Sequence, residues 1–525
     1  MQRQMLIRVV LVLGILILLN LVCVKLFTRL DLTANKIYTL SPASKNLVKS
    51  LDDKFIIKAY FTSDLPAPYN NNRRYLQDQL DEYRAYAGGN FQYEFIDPGK
   101  TPELEQEAQR YGIPPVQVQV VKEDKMQIEK AYMGLVFLYL DKQEQLPVLQ
   151  NLENLEYEIS STIKKMTSKS LKKVGFLSGH DEAKLDALKS LKENLDKQYE
   201  VTTVDITGGK AIPSDIAVLV LDAPTKPFKQ WEKYLIDQYI MTGGRVAFFL
   251  NKIDINLQSQ QGGRPLNLDL DDLTESYGVR INTDLVRDAR CATVSVRQQA
   301  GFFVIQNQLP FYYLPMASDF NKTSPIVKDL GSVIFYFVSS LDTTPAKGKG
   351  YKLNVLVKSS KKSGRLENVF IMNPGAPATE DMFKESNIPL VVSVEGNFAS
   401  AFQNKQFTPD SGVNIDLSKK LSRGTNSKIV VVGDGDFLQD QFSGGNKDNI
   451  NLASNLIDYL ADDIGLATIR SRDTSPKPLD EVSEGTRSMV KGLNLFLPPL
   501  SIILFGIFRW RWRAGMRKRL ESRAL

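Results

Sequence analysis

The residues Phe95 to Thr101, FIDPGKT, end in a glycine followed by Lys-Thr, which is how a phosphate-cradling P-loop ends. A P-loop also needs a glycine five residues before the Gly-Lys pair, so that the backbone can curl around phosphates. Position 94 is Glu, which repels them, and Pro98 removes an N–H from the cradle. The stretch is predicted to be a Pro-Gly turn between a strand and a helix, and this chain is not expected to be an ATPase.

A second set of chemistry-bearing residues surrounds the single histidine, in Ser178-Gly179-His180-Asp181-Glu182. Asp222 and Asn251 follow two later apolar runs, and Asp434 and Asp436 follow a third, KIVVVGDGDF. A functional histidine here is a general base beside Asp222. Hydrolase or amidotransferase chemistry then needs a nucleophile, and no cysteine and no G-x-S-x-G elbow accompanies His180. The other outcomes for Ser178, His180, Asp181, Glu182, Asp222 and Asn251 are contact with a ligand or partner, which Asp434 and Asp436 share, and a strand-end turn capping the next helix. Asp434 and Asp436 invite Ca²⁺ or Mg²⁺, yet Phe437 to Asp440 lacks the glycine and later glutamate of an EF-hand loop. An Asp-Gly turn at a strand end is expected instead, with no metal and no cofactor. With one histidine and two cysteines, Cys23 and Cys291, there are few soft metal ligands and no disulfide framework.

These residues need elements to position them. FIIKAYFTS and FQYEFIDP are predicted strands; RRYLQDQLDEYRAYA and PELEQEAQRYG are predicted helices; VQVQVV and MGLVFLYLD read as a terminal pair of strands. The helix LENLEYEISSTIKKM closes this unit, and Ser41-Pro42 reads as the N-cap and first turn of a helix before it. From Lys172 the pattern is again strand and helix in alternation. Leu185, Leu188, Leu191 and Leu195 mark one helix, and IAVLVL and VAFFL are apolar on both faces, as a buried parallel sheet requires. This is a doubly wound α/β domain, whose ligands sit at the carboxyl ends of strands, where the residues above are found. Residues 254–425 read as a β-rich insertion of loops and strands.

The ends differ from the middle. Val9 to Val24 carries no charge, and Gly492 to Phe508 is also uncharged, with Pro498-Pro499 inside it. No small-residue cleavage site follows the first, so it reads as an uncleaved anchor. The formal net charge is +6; Arg3 and Arg8 supply +2 and the tail RWRWRAGMRKRLESRAL supplies +6, leaving −2 for residues 9–508. The basic balance therefore belongs to membrane flanks and gives no support to nucleic-acid binding. Positive flanks stay inside, so both termini are expected in the cytoplasm, with the tail against anionic lipid and the folded part in the periplasm of a bacterial inner membrane. The organisation expected is a cytoplasmic N-terminus (1–8), a first span (9–27), an extracytoplasmic domain (28–150), a linking helix (151–172), an α/β domain (173–465), a linker (466–491), a second span (492–508) and a basic cytoplasmic tail (509–525).

Two fold resemblances follow from these patterns. The β-α-β-α-β-β-α order of 28–150, with Ile113-Pro114-Pro115 before the terminal pair, resembles a thioredoxin-like fold, in which a cis-proline holds that place; no C-x-x-C exists here, so a scaffold without redox chemistry is implied. The α/β part is similar to amidotransferase-like domains but lacks their cysteine nucleophile. Across almost the whole chain, DLTANKIYTLSPASKNLVKSL, FLSGHDE, DQYIMTGGRVAFFLN, PLVVSVEG and VVVGDGDFLQDQ with NLASNLIDYL resemble the gliding-motility-associated ABC transporter auxiliary (nominally substrate-binding), GldG-like, proteins. That resemblance implies an inner-membrane subunit beside an ABC permease and a cytoplasmic ATP-binding subunit, associated with gliding motility and not an enzyme. It transfers no catalytic or ligand residues. The alternatives are an envelope scaffold binding peptidoglycan or periplasmic protein partners, and an envelope hydrolase or amidotransferase-like enzyme.

Overall fold

The computed structural model describes residues 39–470 except 64, 66–68, 123–124, 150–151, 153, 169, 257–261, 301–302, 328–329, 375–376, 414, 444–445, 462–464 and 466–468. It also describes 484–521 and Gly14. The first expected span, 9–27, apart from Gly14, and most of the expected linker lie outside the described residues. The chain divides into two compact units, Met1–Pro476 and Lys477–Leu525.

The first sheet of the larger unit contains β1 (Phe55–Phe61), β2 (Phe91–Ile96), β5 (Met133–Tyr139) and β6 (Lys142–Leu146), in the order β2-β1-β5-β6. β1 and β2 are parallel, and β5 is antiparallel to both β1 and β6. β3 (Val116–Lys122) and β4 (Lys125–Ala131) form a separate hairpin. The strand pair that closes this sheet is therefore β5–β6, not VQVQVV with MGLVFLYLD. The polar KQEQL of β6 suits an edge strand, and MGLVFLY, buried along almost its whole length, suits the interior.

One face of this sheet is covered by α1 (Pro42–Lys49), α2 (Asn72–Tyr86) and α4 (Leu155–Thr167), through Val48, Leu76, Leu80, Ile159 and Ile163. On the other face Ala108 of α3 (Pro102–Arg110) packs with Tyr60, Ile113 and Val136. Ser41 caps α1 by accepting from the Ser44 N–H at 3.1 Å. Buried Glu156 of α4 accepts from the Ser41 N–H and the Ser44 hydroxyl, each at 2.7 Å, locking α1 onto α4. FIDPGKT folds as the expected turn: Asp97 accepts from the Gly99 N–H at 3.0 Å, and Thr101 caps α3.

The second sheet has eight strands. They are β7 (Lys172–Ser178), β8 (Tyr199–Asp205), β9 (Ile216–Asp222), β10 (Val246–Phe249), β11 (Asp319–Phe320), β12 (Lys352–Lys358), β13 (Pro389–Gly396) and β14 (Ser427–Val432), in the order β11-β12-β13-β14-β10-β9-β7-β8. β8, β7, β9, β10 and β14 run parallel. Taken in chain order, that is a 2-1-3-4-5 arrangement, whose switch point lies between β7 and β9. β13, β12 and β11 extend it antiparallel.

Alternation within the strands divides the core between two faces. Val220, Ala247, Phe249 and Val430 meet α5 (Lys189–Leu195) and α8 (Lys447–Leu460); Leu219, Leu221, Phe248 and Val431 meet α6 (Gln230–Met241) and α7 (Asp271–Ser276). Much of residues 254–425 thus belongs to the sheet or braces it. Asp284–Asp288 pairs with Ser363–Glu367, and Cys291–Ala300 with Phe303–Ala317 forms a long hairpin. In the smaller unit, α9 (Glu484–Glu521) is one 38-residue helix containing the second expected span, with Pro498 and Pro499 inside it.

Candidate functional site

The carboxyl ends of the parallel strands bring the sequence candidates into two groups. The first forms around His180, directly after β7. Gly179 (φ +122) and Asp181 (φ +55) both adopt left-handed backbone, which folds the chain back so that Glu182 lies beside the ring two residues before it. His180 is buried and stacks on Phe228, with centroids 3.8 Å apart and planes 10° from parallel. Its Nε2 is 3.0 Å from Glu232 Oε2 and its Nδ1 is 3.3 Å from Glu182 Oε1. Burial works to lower the pKa of the ring, but the two glutamate side chains beside it outweigh it and lift the value from 6.5 to about 9. At neutral pH His180 is an imidazolium held between two carboxylates, a state that cannot accept a proton.

Glu232 is the residue that the sequence reading missed. It sits at the third position of α6, where its carboxylate also accepts from the Lys229 N–H at 2.7 Å. A glutamate three residues into a helix is a capping signal, and this was the only sign it offered. Backbone bonds complete the closure: the His180 carbonyl accepts from Thr225 N at 2.9 Å and Lys226 N at 3.0 Å, and Ala183 N donates to the Asp222 carbonyl at 3.2 Å. The switch point is thereby filled by the protein's own loop. Ser178, Asp181 and Glu182 line an open cavity of about 330 Å³ beside it. Asp181 is exposed there and pairs with Lys226 at 2.9 Å.

The second group is acidic. Asp222, the last residue of β9, meets the turn after β14, because Ala223 (φ +47) lies against Gly435 so closely that a Cβ on that glycine would be 2.8 Å from the Ala223 N. Asp434 is fully buried and accepts from the N–H groups of Tyr336 (2.6 Å), Asp436 (2.7 Å) and Phe437 (3.2 Å). Asn251 accepts from the Gly435 N–H at 2.8 Å. Burial raises the Asp436 pKa to about 6, against the opposing hydrogen bond from Asn251. Asp222 is 2 % exposed and neither of its carboxyl oxygens has a hydrogen-bond partner among the described residues. Burial, then the neighbouring Asp436 and Asp434, push its pKa well above the usual carboxylate value.

The structure does not pair Asp222 with the His180 ring; that place is taken by Glu182 and Glu232. Among the described residues no three His, Cys, Asp or Glu side chains gather as a metal-holding group. The Cys291 thiol is half-buried, and burial pushes its pKa to about 11, far from a reactive thiolate.

The Asp222 carboxyl contributes stability that is fully present below the unfolded pKa of 3.8 and is lost as pH rises toward the folded value. Asp222→Asn is expected to stabilise the protein by about 1 kcal/mol or more at pH 7.5, and by less at pH 4.5. Thermal unfolding at both pH values checks this; an Asn variant that melts lower at both refutes it.

The comparisons with known proteins concern the whole chain. A sequence model for a family described as an ABC-type uncharacterized transport system matches residues 171–462, and one for a domain of unknown function matches residues 34–138. An uncharacterized protein of Borreliella burgdorferi is 25 % identical over 495 residues, spanning 92 % of this chain and 93 % of its own length. Among solved structures, the mmIFT52 N-terminal domain is 15 % identical with a TM-score of 0.33, covering 55 % of this chain and 97 % of its own. An exo-beta-1,4-mannosidase from Opitutaceae bacterium strain TAV5 is 10 % identical with a TM-score of 0.26, covering 76 % of this chain and 50 % of its own. Both scores are too low to bear on the fold. The family match spans more than half of the chain, including every residue of the two groups above, and the chain belongs to the family described as an ABC-type uncharacterized transport system.

Proposed function

We propose that the chain is a membrane-anchored extracytoplasmic subunit of an ABC transporter complex, working beside a separate permease and a cytoplasmic ATP-binding subunit. Family membership carries this reading. Helix α9 supports the anchoring: Gly485–Gly515 is long and apolar enough to cross a membrane, and Arg509, Arg511 and Arg513 follow its uncharged stretch. With the uncharged N-terminal segment as a second span, both termini lie in the cytoplasm and the folded part in the periplasm of the inner membrane. The basic tail then meets anionic lipid.

Its role in this proposal is to couple ATP-driven permease motion to a periplasmic event associated with gliding motility, with no chemistry of its own. The charged, enclosed His180 and the high thiol pKa of Cys291 support a non-enzymatic role. The order β2-β1-β5-β6 supports a thioredoxin-like scaffold with the β3–β4 hairpin inserted. The 2-1-3-4-5 parallel core supports a doubly wound, amidotransferase-like domain that lacks the nucleophile. A subunit fixed at both ends suits gating or mechanical work better than ligand delivery by hinge closure.

Extraction of the tagged full-length protein in mild detergent, followed by mass spectrometry, tests this. A multi-span permease and an ATPase should co-purify in constant ratio. Recovery of the chain alone, or with envelope proteins only, would overturn the transporter reading.

A further inference from the structure

Helix α9 runs unbroken through two consecutive prolines, Pro498 and Pro499. Neither has an N–H, so the carbonyls of Asn494 and Leu495 lack the helical bond from four residues on. Asn494 lies about 21 Å along the helix from Phe508, at ~1.5 Å per residue. With Phe508 at one edge of a hydrocarbon core about 30 Å thick, Asn494 is inside it, too deep for its short side chain to reach water. A donor for its carbonyl must therefore come from protein. The Ser501 hydroxyl is already engaged, donating to the Pro498 carbonyl at 2.7 Å. The Asn494 amide of the same helix is badly placed, since side chains lean toward a helix's N-terminus and carbonyls point toward its C-terminus.

Asn494 is exposed and heads a stripe: Asn494, Pro498, Ser501, Phe505, Phe508 and Trp512 recur at spacings of 4, 3, 4, 3 and 4. That is the period at which one helix face meets another in a left-handed pair. Phe505, Phe508 and Trp512 are exposed as well. Arg509, Arg511 and Arg513 fall off the stripe, which keeps the cations nearest the membrane away from the line of contact. Lys491 and Arg487 continue it outward into water, where salt screens like charges beyond about 8 Å. A second copy inserted the same way runs parallel and puts identical residues at identical depth. Its Asn494 amide is then level with the freed Asn494 carbonyl to within about 3 Å, two residues of rise. The two side-chain amides can bond each other and still have an N–H each for that carbonyl. A permease helix meets the same need only if it carries a donor at this depth; a second copy carries one by symmetry.

We propose that α9 pairs with α9 of a second copy along this stripe, with the two Asn494 amides as the specific contact. The proposal rests on α9 spanning the membrane, as in the reading above. The test uses the full-length protein in native membranes, with Cys23→Ala and Cys291→Ser removing the native thiols. One cysteine is then introduced on the stripe, Phe505→Cys, or on the opposite face, Ile503→Cys. Under copper-phenanthroline oxidation Phe505→Cys should give a disulfide-linked homodimer and Ile503→Cys should not. Adding Asn494→Leu, which makes the helix more apolar and so keeps it inserted, should cut the Phe505→Cys dimer at least ~3-fold. Asn494→Gln, which keeps the amide, should preserve it. No homodimer, equal yields from both faces, a yield indifferent to Asn494→Leu, or an adduct with a different protein in its place would overturn the pairing. A water-soluble maleimide separates this from the anchoring. Labelling of Ile503→Cys in intact membranes would sink the span and the pairing together, whereas an unlabelled cysteine with no homodimer sinks the pairing alone.

Discussion

Arg470→Met is expected to destabilise the folded chain by about 3–5 kcal/mol, the cost of leaving one member of a buried ion pair without its partner. The Asp458 carboxylate is fully buried and lies 2.9 Å from the Arg470 guanidinium. The hydrogen bond it accepts from the Tyr199 hydroxyl, at 2.7 Å, cannot neutralise it. The same substitution removes the donor to Tyr157, and so loosens the hold of α4 on the second sheet's helices. Adding Asp458→Asn to the Met variant should recover most of the loss, since the orphaned charge causes it. Denaturant midpoints of the three variants check this; equal midpoints for the single and double variants would count against it.

The second large effect concerns pH. The His180 pKa is raised from 6.5 to about 9, so its stabilising contribution is fully present below pH 6.5 and is lost as pH rises through 9. The loss is on the order of 3 kcal/mol, taking 1.36 kcal/mol for each unit. His180→Gln should melt lower than the parent at pH 6, and the two should converge above pH 9. A parent whose stability is flat from pH 6.5 to 9.5 would show that the imidazolium is not held as its geometry requires.

Both effects arise from residues only partly legible in the sequence. The buried strands were plain, because IAVLVL and VAFFL have no polar face and match no other element of that length. The leucines of α5 and the apolar stripe of α8 were equally plain. The β3–β4 hairpin was not. KMQIEKA carries charge at both ends and only two large aliphatic residues, so a strand recruited by backbone pairing with its neighbour left little pattern. The separate pair formed by Asp284–Asp288 and Ser363–Glu367 was also hidden, since the two strands lie some 80 residues apart in the chain. At the strand ends the sequence marked His180, Asp222, Asp434 and Asp436 correctly as crest residues. The partners of His180 were not legible, because a left-handed Asp181 is what turns Glu182 back toward the ring, and a single aspartate gives no warning of that.

The loop that fills the switch point is, in binding terms, a tethered competitor. Residues 179–183 occupy the crevice between β7 and β9 as part of the same chain, so their effective concentration there is in the millimolar range or above. A diffusible ligand of micromolar affinity for the empty crevice would be held off by that occupancy. Binding there would require something that first draws the loop away, so the crevice answers to events that move the loop rather than to the concentration of a solute.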